Sequence, residues 1–327
     1  MPAAISELVT AAKLGLSVTS YQRLKRLGCP SQFLEIMVCI RASLNNSDGQ
    51  LLIMFEMFCG VAAITQEFAK AQLPSMGFDI LKDPVLNDIL TPDGFLYATA
   101  MVMSLHPRAG FLWLATVCSS WVWIAQGSTG RSIECPLGRP CRSTARANMM
   151  VARCSLLALL CIAVGNSWAL EQPASSLMVM HPAMAWIRSF DGQMTNAAWY
   201  QCDTCMGAFG AKTVKPTKIY GNRQLVLALG RSQRGIRGDS SMVTTVKVNP
   251  ETGLRSTAGG PGLKETQAYT SGFGAAVLDA YLACSGAEPI PDSEPVIDGP
   301  YPVPAGVWEL ADLQSVLKVA CDTGGQS

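Results

Sequence analysis

Apolar residues recur at helical spacing from Ile5 to Leu14 and again from Phe33 to Ile40, so residues 1–50 read as two or three short helices. The polar run Asn45-Asn46-Ser47-Asp48-Gly49 interrupts the pattern and marks a boundary. From Leu51 onward short apolar runs alternate with longer helical patterns, the texture of a mostly parallel sheet with crossover helices on both faces. The pattern predicts strands at Leu51 to Met57, Ser75 to Ile80, Gly110 to Val117 and Ser167 to Glu171. Further strands are predicted at Ala197 to Gln201, Lys218 to Tyr220 and Gln224 to Leu229. Thr91-Pro92 has the form of an N-cap followed by proline at the first helical position, opening a helix that ends near Leu105. Other helices are expected from Ser143 to about Val164 and from Phe273 to Cys284. Residues 285–305 are rich in proline and acid and read as a loop, with an amphipathic helix following at Val307 to Val319. Three units result: a helical segment at 1–50, an α/β domain at 51–285, and a linker with a C-terminal helix at 286–327. No internal repeat is visible.

Composition narrows the class. The 327 residues are 49% hydrophobic and 15% charged, and mean hydropathy is +0.24, which excludes a disordered chain, a coiled coil and collagen. The longest uncharged apolar stretch, between Arg153 and Glu171, contains Ser155, Asn166 and Ser167 and falls short of the roughly 20 apolar residues of a membrane span. It reads as a buried helix running into a buried strand, and no membrane partner is expected. The N-terminus carries Glu7 and lacks the basic-then-apolar order of a signal peptide. The 12 cysteines are scattered through a chain of this length, so they are expected to be reduced, mostly buried thiols of an intracellular protein, the nucleus included.

Net charge is +1, yet the basic residues are unevenly placed. Ten of them lie between Lys212 and Lys264, against the two acids Asp239 and Glu251. A basic stretch of this kind is a candidate face for a polyanion, and a solvated loop would show the same count.

The candidate chemistry sits at predicted strand ends. The first strand runs into Phe58-Cys59-Gly60, where a glycine lets backbone approach a ligand closely. The second ends at Gly77-Phe78-Asp79, an acid 19 residues beyond Gly60, the offset at which a carboxylate meets the ribose of a nucleoside-type cofactor. The third delivers Cys118-Ser119-Ser120-Trp121 and the fourth Glu171-Gln172-Pro173, a thiol nucleophile and an acid on one sheet edge.

The order of these segments resembles the cytosine-C5 DNA methyltransferases, a branch of the Rossmann-like class I S-adenosylmethionine-dependent methyltransferases. Glu56-Met57-Phe58-Cys59-Gly60-Val61-Ala62-Ala63 is similar to the family's cofactor turn, Asn87-Asp88-Ile89 to its short acidic segment near the adenine, and Glu171-Gln172-Pro173 to its glutamate segment. Cys118 follows Phe58 by 60 residues, about where the family carries its nucleophile, and Lys215-Pro216-Thr217-Lys218 after Phe209-Gly210 resembles a later segment of phage-like members. The resemblance implies S-adenosylmethionine as cofactor, held by Phe58, Cys59, Gly60, Asp79 and Asp88. It implies methyl transfer to C5 of cytosine, with Cys118 and Glu171 catalytic, no metal, and DNA in preference to RNA as partner. The basic stretch supplies Lys215, Thr217, Lys218, Arg231, Arg234 and Arg237 as candidate nucleic-acid contacts. Nucleophilic attack also requires a lowered thiol pKa, for which Lys215 is a candidate source.

The chain differs from that family at several points. Thr116-Val117 stands where two prolines stiffen the nucleophile loop, Ala62 and Ala63 replace glycines, Gln172 replaces asparagine, and the Gln-x-Arg-x-Arg segment is missing between Gly210 and Lys215. A non-catalytic relative that binds nucleic acid or a protein partner is therefore the second reading. A third is an α/β enzyme using Cys118 in acyl transfer, although neither His106 nor His181 lies in a recognisable partner motif. Cys202/Cys205 with Cys135/Cys141 could form a four-cysteine zinc site, but the loose second spacing favours plain thiols. The two histidines read as helix-end or surface residues, and Trp121 and Trp123 read as core side chains before base-stacking ones.

Overall fold

The computed structural model describes residues 3–44, 51–191, 197–236, 238, 244–248, 250–251, 253, 255–259, 265–285 and 303–324. The N-terminal segment folds as three helices, α1 (Ala3–Leu14), α2 (Val18–Arg26) and α3 (Ser31–Leu44). The α/β part opens with β1 (Met54–Met57), α4 (Ala63–Lys70), β2 (Ser75–Phe78), α5 (Pro92–Met103) and β3 (Phe111–Leu114). It continues through the one-turn helix α6 (Gln126–Thr129), α7 (Arg142–Val164), β4 (Ser167–Pro173), α8 (Pro182–Arg188), β5 (Tyr200–Cys205) and β6 (Pro216–Gly221). A separate antiparallel pair, β7 (Thr244–Val248) and β8 (Arg255–Gly259), precedes α9 (Ser271–Ser285) and α10 (Leu313–Gly324).

The main sheet has six strands in the order β2-β1-β3-β4-β6-β5. The first four are parallel, and β6 runs antiparallel to both β4 and β5. All four parallel strands therefore end on one edge, where an open α/β sheet binds its ligands.

Side chains along the strands alternate between two apolar layers, as a period of two requires. Phe55, Met57, Leu112, Leu114, Trp168 and Leu170 face the layer shared with α5 and α7. Met54, Phe111, Trp113, Ala169 and Ile219 face the layer under α4 and α9. Helices thus cover both faces. The N- and C-terminal segments belong to the first layer: α10 packs on α3 and α5, and α2 on α7. Trp186 and Trp308 donate their indole N–H groups to the carbonyls of Leu27 (3.0 Å) and Gly28 (2.9 Å). Gly28 adopts φ +69°, and a Cβ there would collide with Val303.

Helix α7 is the one helix among the described residues long and apolar enough to cross a membrane, yet 83% of its apolar window is buried inside the protein. Midway along it the buried guanidinium of Arg153 donates to the carbonyls of Ile89, Thr91 and Ala311, which fastens the C-terminal segment to the sheet domain. Burial lowers its pKa to about 10, so it remains charged.

The expected α/β order is present, with local corrections. Gln224–Leu229 is a 3-10 helix, because Leu225, Val226 and Leu229 turn inward together, and an apolar run of that length does not by itself separate the two conformations. The C-terminal amphipathic pattern is broken by Asp312 at φ +49°, so its helix begins at Leu313. Thr91 caps α5 as expected, accepting from the Gly94 N–H at 3.0 Å.

Candidate functional site at the carboxyl edge of the sheet

The turn after β1 is built by backbone. Phe58, Gly60 and Ala62 all take left-handed conformations, with φ of 60°, 50° and 58°. Only the glycine does so without steric cost. The N–H groups of Phe58 and Cys59 both donate to the Phe78 carbonyl, at 2.7 and 3.2 Å, which ties the turn to the end of β2. Asp79 completes the tie: its Oδ2 accepts from the Gly60 N–H at 2.8 Å and its Oδ1 from the Leu81 N–H at 2.9 Å. A side chain placed on Gly60 would meet nothing within 4 Å, so the turn opens onto free space.

Beneath the turn, Glu56 is fully buried and accepts from the N–H and hydroxyl of Thr65, at 2.8 and 2.6 Å. Burial pushes its pKa up to about 7 against those two hydrogen bonds. The Cys59 thiol also points inward, and burial pushes its pKa to about 11, so this residue offers a ligand its backbone only. Gly77 is required at its place, because a Cβ would lie 2.9 Å from the Cys59 sulfur and 2.8 Å from the Lys82 nitrogen.

Asn87 lies against Asp79, its side-chain amide donating to the Asp79 carbonyl at 3.3 Å, and Asp88 follows it in the chain. Its own carboxylate accepts from the Leu90 N–H at 2.9 Å, which shapes the entry to α5. Val61, Ile80, Leu81, Val85 and Leu86 form an exposed apolar rim around Gly60 and Asp79. Sequence reasoning missed that rim, whose only linear signal is apolar residues in an otherwise loop-like stretch.

Side chains build the neighbouring part of the edge. Cys118 lies four residues beyond β3, half-buried, and Glu171 lies within β4. The two are brought together: burial raises the Cys118 pKa, the Glu171 charge raises it further, and the Lys215 ammonium lowers it. The net direction is upward, so the expectation that this site lowers the thiol pKa is corrected, with desolvation as the cause. Lys215 lies 3.5 Å from Glu171 Oε1, and the buried Tyr269 hydroxyl donates to Glu171 Oε2 at 3.0 Å. Tyr269 accepts in turn from the Trp113 indole at 3.3 Å. Burial, with Glu171 beside it, holds the phenol well above its usual pKa and keeps it a donor. Glu171 Oε1 has no hydrogen-bond partner among the described residues. Lys215 itself has φ +37° immediately before a proline, a strained conformation whose carbonyl is held by the Met206 N–H (3.2 Å) and the Thr217 hydroxyl (2.8 Å).

The loop before Cys118 is clamped from β4. The buried Gln172 amide donates to the Thr116 carbonyl at 2.7 Å and accepts from the Ser176 hydroxyl at 2.9 Å. Behind the following residues, Arg131 stacks 3.4 Å over the Trp121 ring and donates to the Ser120 hydroxyl at 3.1 Å. Trp121 is therefore a core residue, while Trp123 is exposed.

The candidate nucleic-acid residues separate. Lys215 turns inward to Glu171. Thr217 is fully buried and serves Lys215, so it has no surface to offer a phosphate. Lys218 lies 3.9 Å from Asp203. Arg231 is exposed, donates to the Ala228 and Gly230 carbonyls and lies over Phe209. Arg234 is exposed, and Arg237 lies outside the described residues.

His106 is exposed, whereas His181 is buried at the start of α8, against Trp121, where burial lowers its pKa to about 3. His181 is a helix-end residue as expected, since its Nδ1 caps α8 by accepting from the Ala183 N–H, and unlike His106 it is buried. Among the described residues no three His, Cys, Asp or Glu side chains are grouped as metal ligands would be, and all 12 cysteines are free thiols. Compared with known protein families, characterised proteins and solved structures, the chain shows no significant match.

Proposed function

We propose that this chain is a class I, S-adenosylmethionine-dependent methyltransferase of the cytosine-C5 type, acting on DNA. The observation that carries the reading is the convergence of Cys118, Glu171 and Lys215 at the ends of β3 and β4, beside the open Gly60–Asp79 turn. The cofactor, when bound, supplies an electrophilic methyl group. The residues fit it: Gly60 leaves space, the Asp79 carboxylate keeps lone pairs for ribose hydroxyls beyond its two backbone donors, and Ile80 offers apolar surface for an adenine.

A cytosine within a duplex is unreachable, so the base enters flipped or single-stranded. The Cys118 thiolate adds to C6, while Glu171, whose buried Oε1 accepts no hydrogen bond and is paired only with the Lys215 ammonium 3.5 Å away, turns that oxygen to the N3 edge and stabilises its protonated form. Once C5 had taken the methyl group of a bound cofactor, the C5 proton would pass to water, its bonding pair would restore the C5–C6 double bond, and the C6–S pair would leave with sulfur, returning Cys118 as thiolate. Tyr269 and Lys215 keep Glu171 oriented throughout.

The test is covalent trapping with 5-fluorocytosine DNA, in which fluorine replaces the departing C5 proton. A cofactor-dependent adduct is expected with the native protein and none with Cys118→Ala; Glu171→Gln should form it about 10²–10⁴-fold more slowly. Because the thiol pKa lies above its ordinary value, the adduct rate of the native protein should still be climbing as pH rises through 9.

The same raised thiol pKa favours the second reading, a relative that binds nucleic acid or a partner without turnover. Cofactor binding with no adduct on any DNA or RNA would establish it. In acyl transfer Cys118 would need a histidine, and neither one acts on it.

A further inference from the structure

The connection from β3 to α7, the start of α7 and Leu90 line an open cavity of about 670 Å³ beside the nucleophile loop. Its lining carries the two guanidinium groups of Arg142 and Arg146 among serine and threonine hydroxyls, with Leu90 and Met150 among the apolar residues of the wall, and no carboxylate takes part.

Three observations on its charge point the same way. Arg142 and Arg146 are one helical turn apart at the start of α7, a like-charge pair at the positive end of a helix dipole, an arrangement that disfavours the isolated helix. Neither is ion-paired among the described residues, and both are exposed. Behind the wall, Arg131 is buried with only neutral acceptors: Ser120 Oγ, the Pro136 and Thr144 carbonyls and Asn148 Oδ1. Burial lowers its pKa to about 10, so at neutral pH it is a cation with no carboxylate beside it. The negative groups that act on it are the exposed thiols of Cys141, whose pKa hydrogen bonds from Ser143 and Thr144 lower to about 6, and Cys135. Buried charges are ordinarily paired. A loop folded around one such cation, with two more across a cavity of hydroxyls, makes a field that a multi-acceptor anion would neutralise.

We propose that this cavity binds a phosphodiester of a nucleic-acid strand, next to the nucleotide presented to Cys118. Val117, Ser119 and Ser120 line it and flank Cys118 in the chain, so a phosphate held there sits beside the reacting base. The inference rests on the proposed function for the identity of the strand. It places a phosphate contact outside the basic segment 212–264.

The experiment measures binding of a labelled single-stranded cytosine-containing oligonucleotide by fluorescence anisotropy over a salt series, for the native chain and for Arg142→Gln/Arg146→Gln. The double variant should bind at least about tenfold more weakly at low salt, with a log–log salt slope shallower by about 0.7, one phosphate of a single strand. An unchanged affinity and slope would overturn the proposal, as would inorganic phosphate binding as tightly as the oligonucleotide, which would make this a free-phosphate site. Thermal melting checks the fold of the variant; should it melt early, Ser143→Ala replaces it, with a smaller loss of affinity expected and an unchanged affinity again counting against the site. Calorimetry with S-adenosylmethionine separates the two readings. Native cofactor binding with an oligonucleotide response indifferent to both arginines defeats the phosphate site alone. A response to the arginines without cofactor binding defeats the methyltransferase reading alone.

Discussion

The turn after β1 and the loop after β3 share one edge of one sheet, but they are held by different means. The first is fixed by backbone: three left-handed residues, two N–H groups on the Phe78 carbonyl, and Asp79 clipped to Gly60. The second is fixed by side chains that arrive from elsewhere, Gln172 on the Thr116 carbonyl, Tyr269 and Lys215 on Glu171, and Arg131 on Ser120. On the proposed methyltransferase reading, the Gln172 clamp takes the place of two prolines at Thr116-Val117. Where a ring would have restricted the backbone, a buried amide holds the Thr116 carbonyl from the neighbouring strand, and glutamine has one more methylene than asparagine with which to reach it.

Removing that clamp is the strongest test of the contrast. Gln172→Leu keeps the volume and leaves the buried Thr116 carbonyl without its donor. Stability should fall by about 1–3 kcal/mol in urea denaturation. Misplacement of Cys118 by as little as 1 Å should slow adduct formation on 5-fluorocytosine DNA about 10²-fold. Affinity for S-adenosylmethionine should stay as it is, because the first turn makes no use of Gln172. Adduct formation at the native rate would show that the loop is held without the amide.

The same contrast sets what the sequence could show. Phe58-Cys59-Gly60 and Asp79 are legible because each is a local pattern at a strand end, and the strands themselves follow from alternating apolar runs. Tyr269 was not legible as the partner of Glu171, 98 residues away, since a tyrosine before a helix carries no sign of what it reaches. Thr217 was misplaced for a related reason: a hydroxyl in a basic stretch looks like a surface residue until its backbone partner is known. The β7–β8 pair did carry a signal, with Thr244-Thr245-Val246-Lys247-Val248 before a turn containing Pro250 and Gly253, but the charge of that segment drew attention away from it.

Asp79 tests the other side of the comparison, with an effect confined to cofactor affinity rather than spread over stability and rate. Asp79→Ala removes the acceptor of the Gly60 N–H together with the carboxylate proposed for the ribose. Cofactor affinity measured by calorimetry should weaken by about 1.5–3 kcal/mol, the scale of hydrogen bonds to a charged group. The oligonucleotide should bind with unaltered affinity, since Asp79 does not line the phosphate cavity. Native cofactor affinity in this variant would remove the cofactor assignment from the turn.

The smallest effect comes from Ala62, and it is the most direct probe of a backbone-built site. At φ 58° and ψ 40° this residue buries its small methyl group, but it holds a conformation that is unfavourable by roughly 1–2 kcal/mol for any residue with a Cβ. Glycine removes the steric term and adds some chain entropy to the unfolded state, so Ala62→Gly should stabilise the protein by up to about 1 kcal/mol. Phe58 has the same backbone hand, yet its ring packs against the core, so Phe58→Gly should lose more in burial than it gains in conformation. Urea denaturation of the two variants distinguishes the cases. If Ala62→Gly instead destabilises the chain, as glycine does inside an ordinary helix, then the left-handed turn is absent in solution, and the open cradle at Gly60 goes with it.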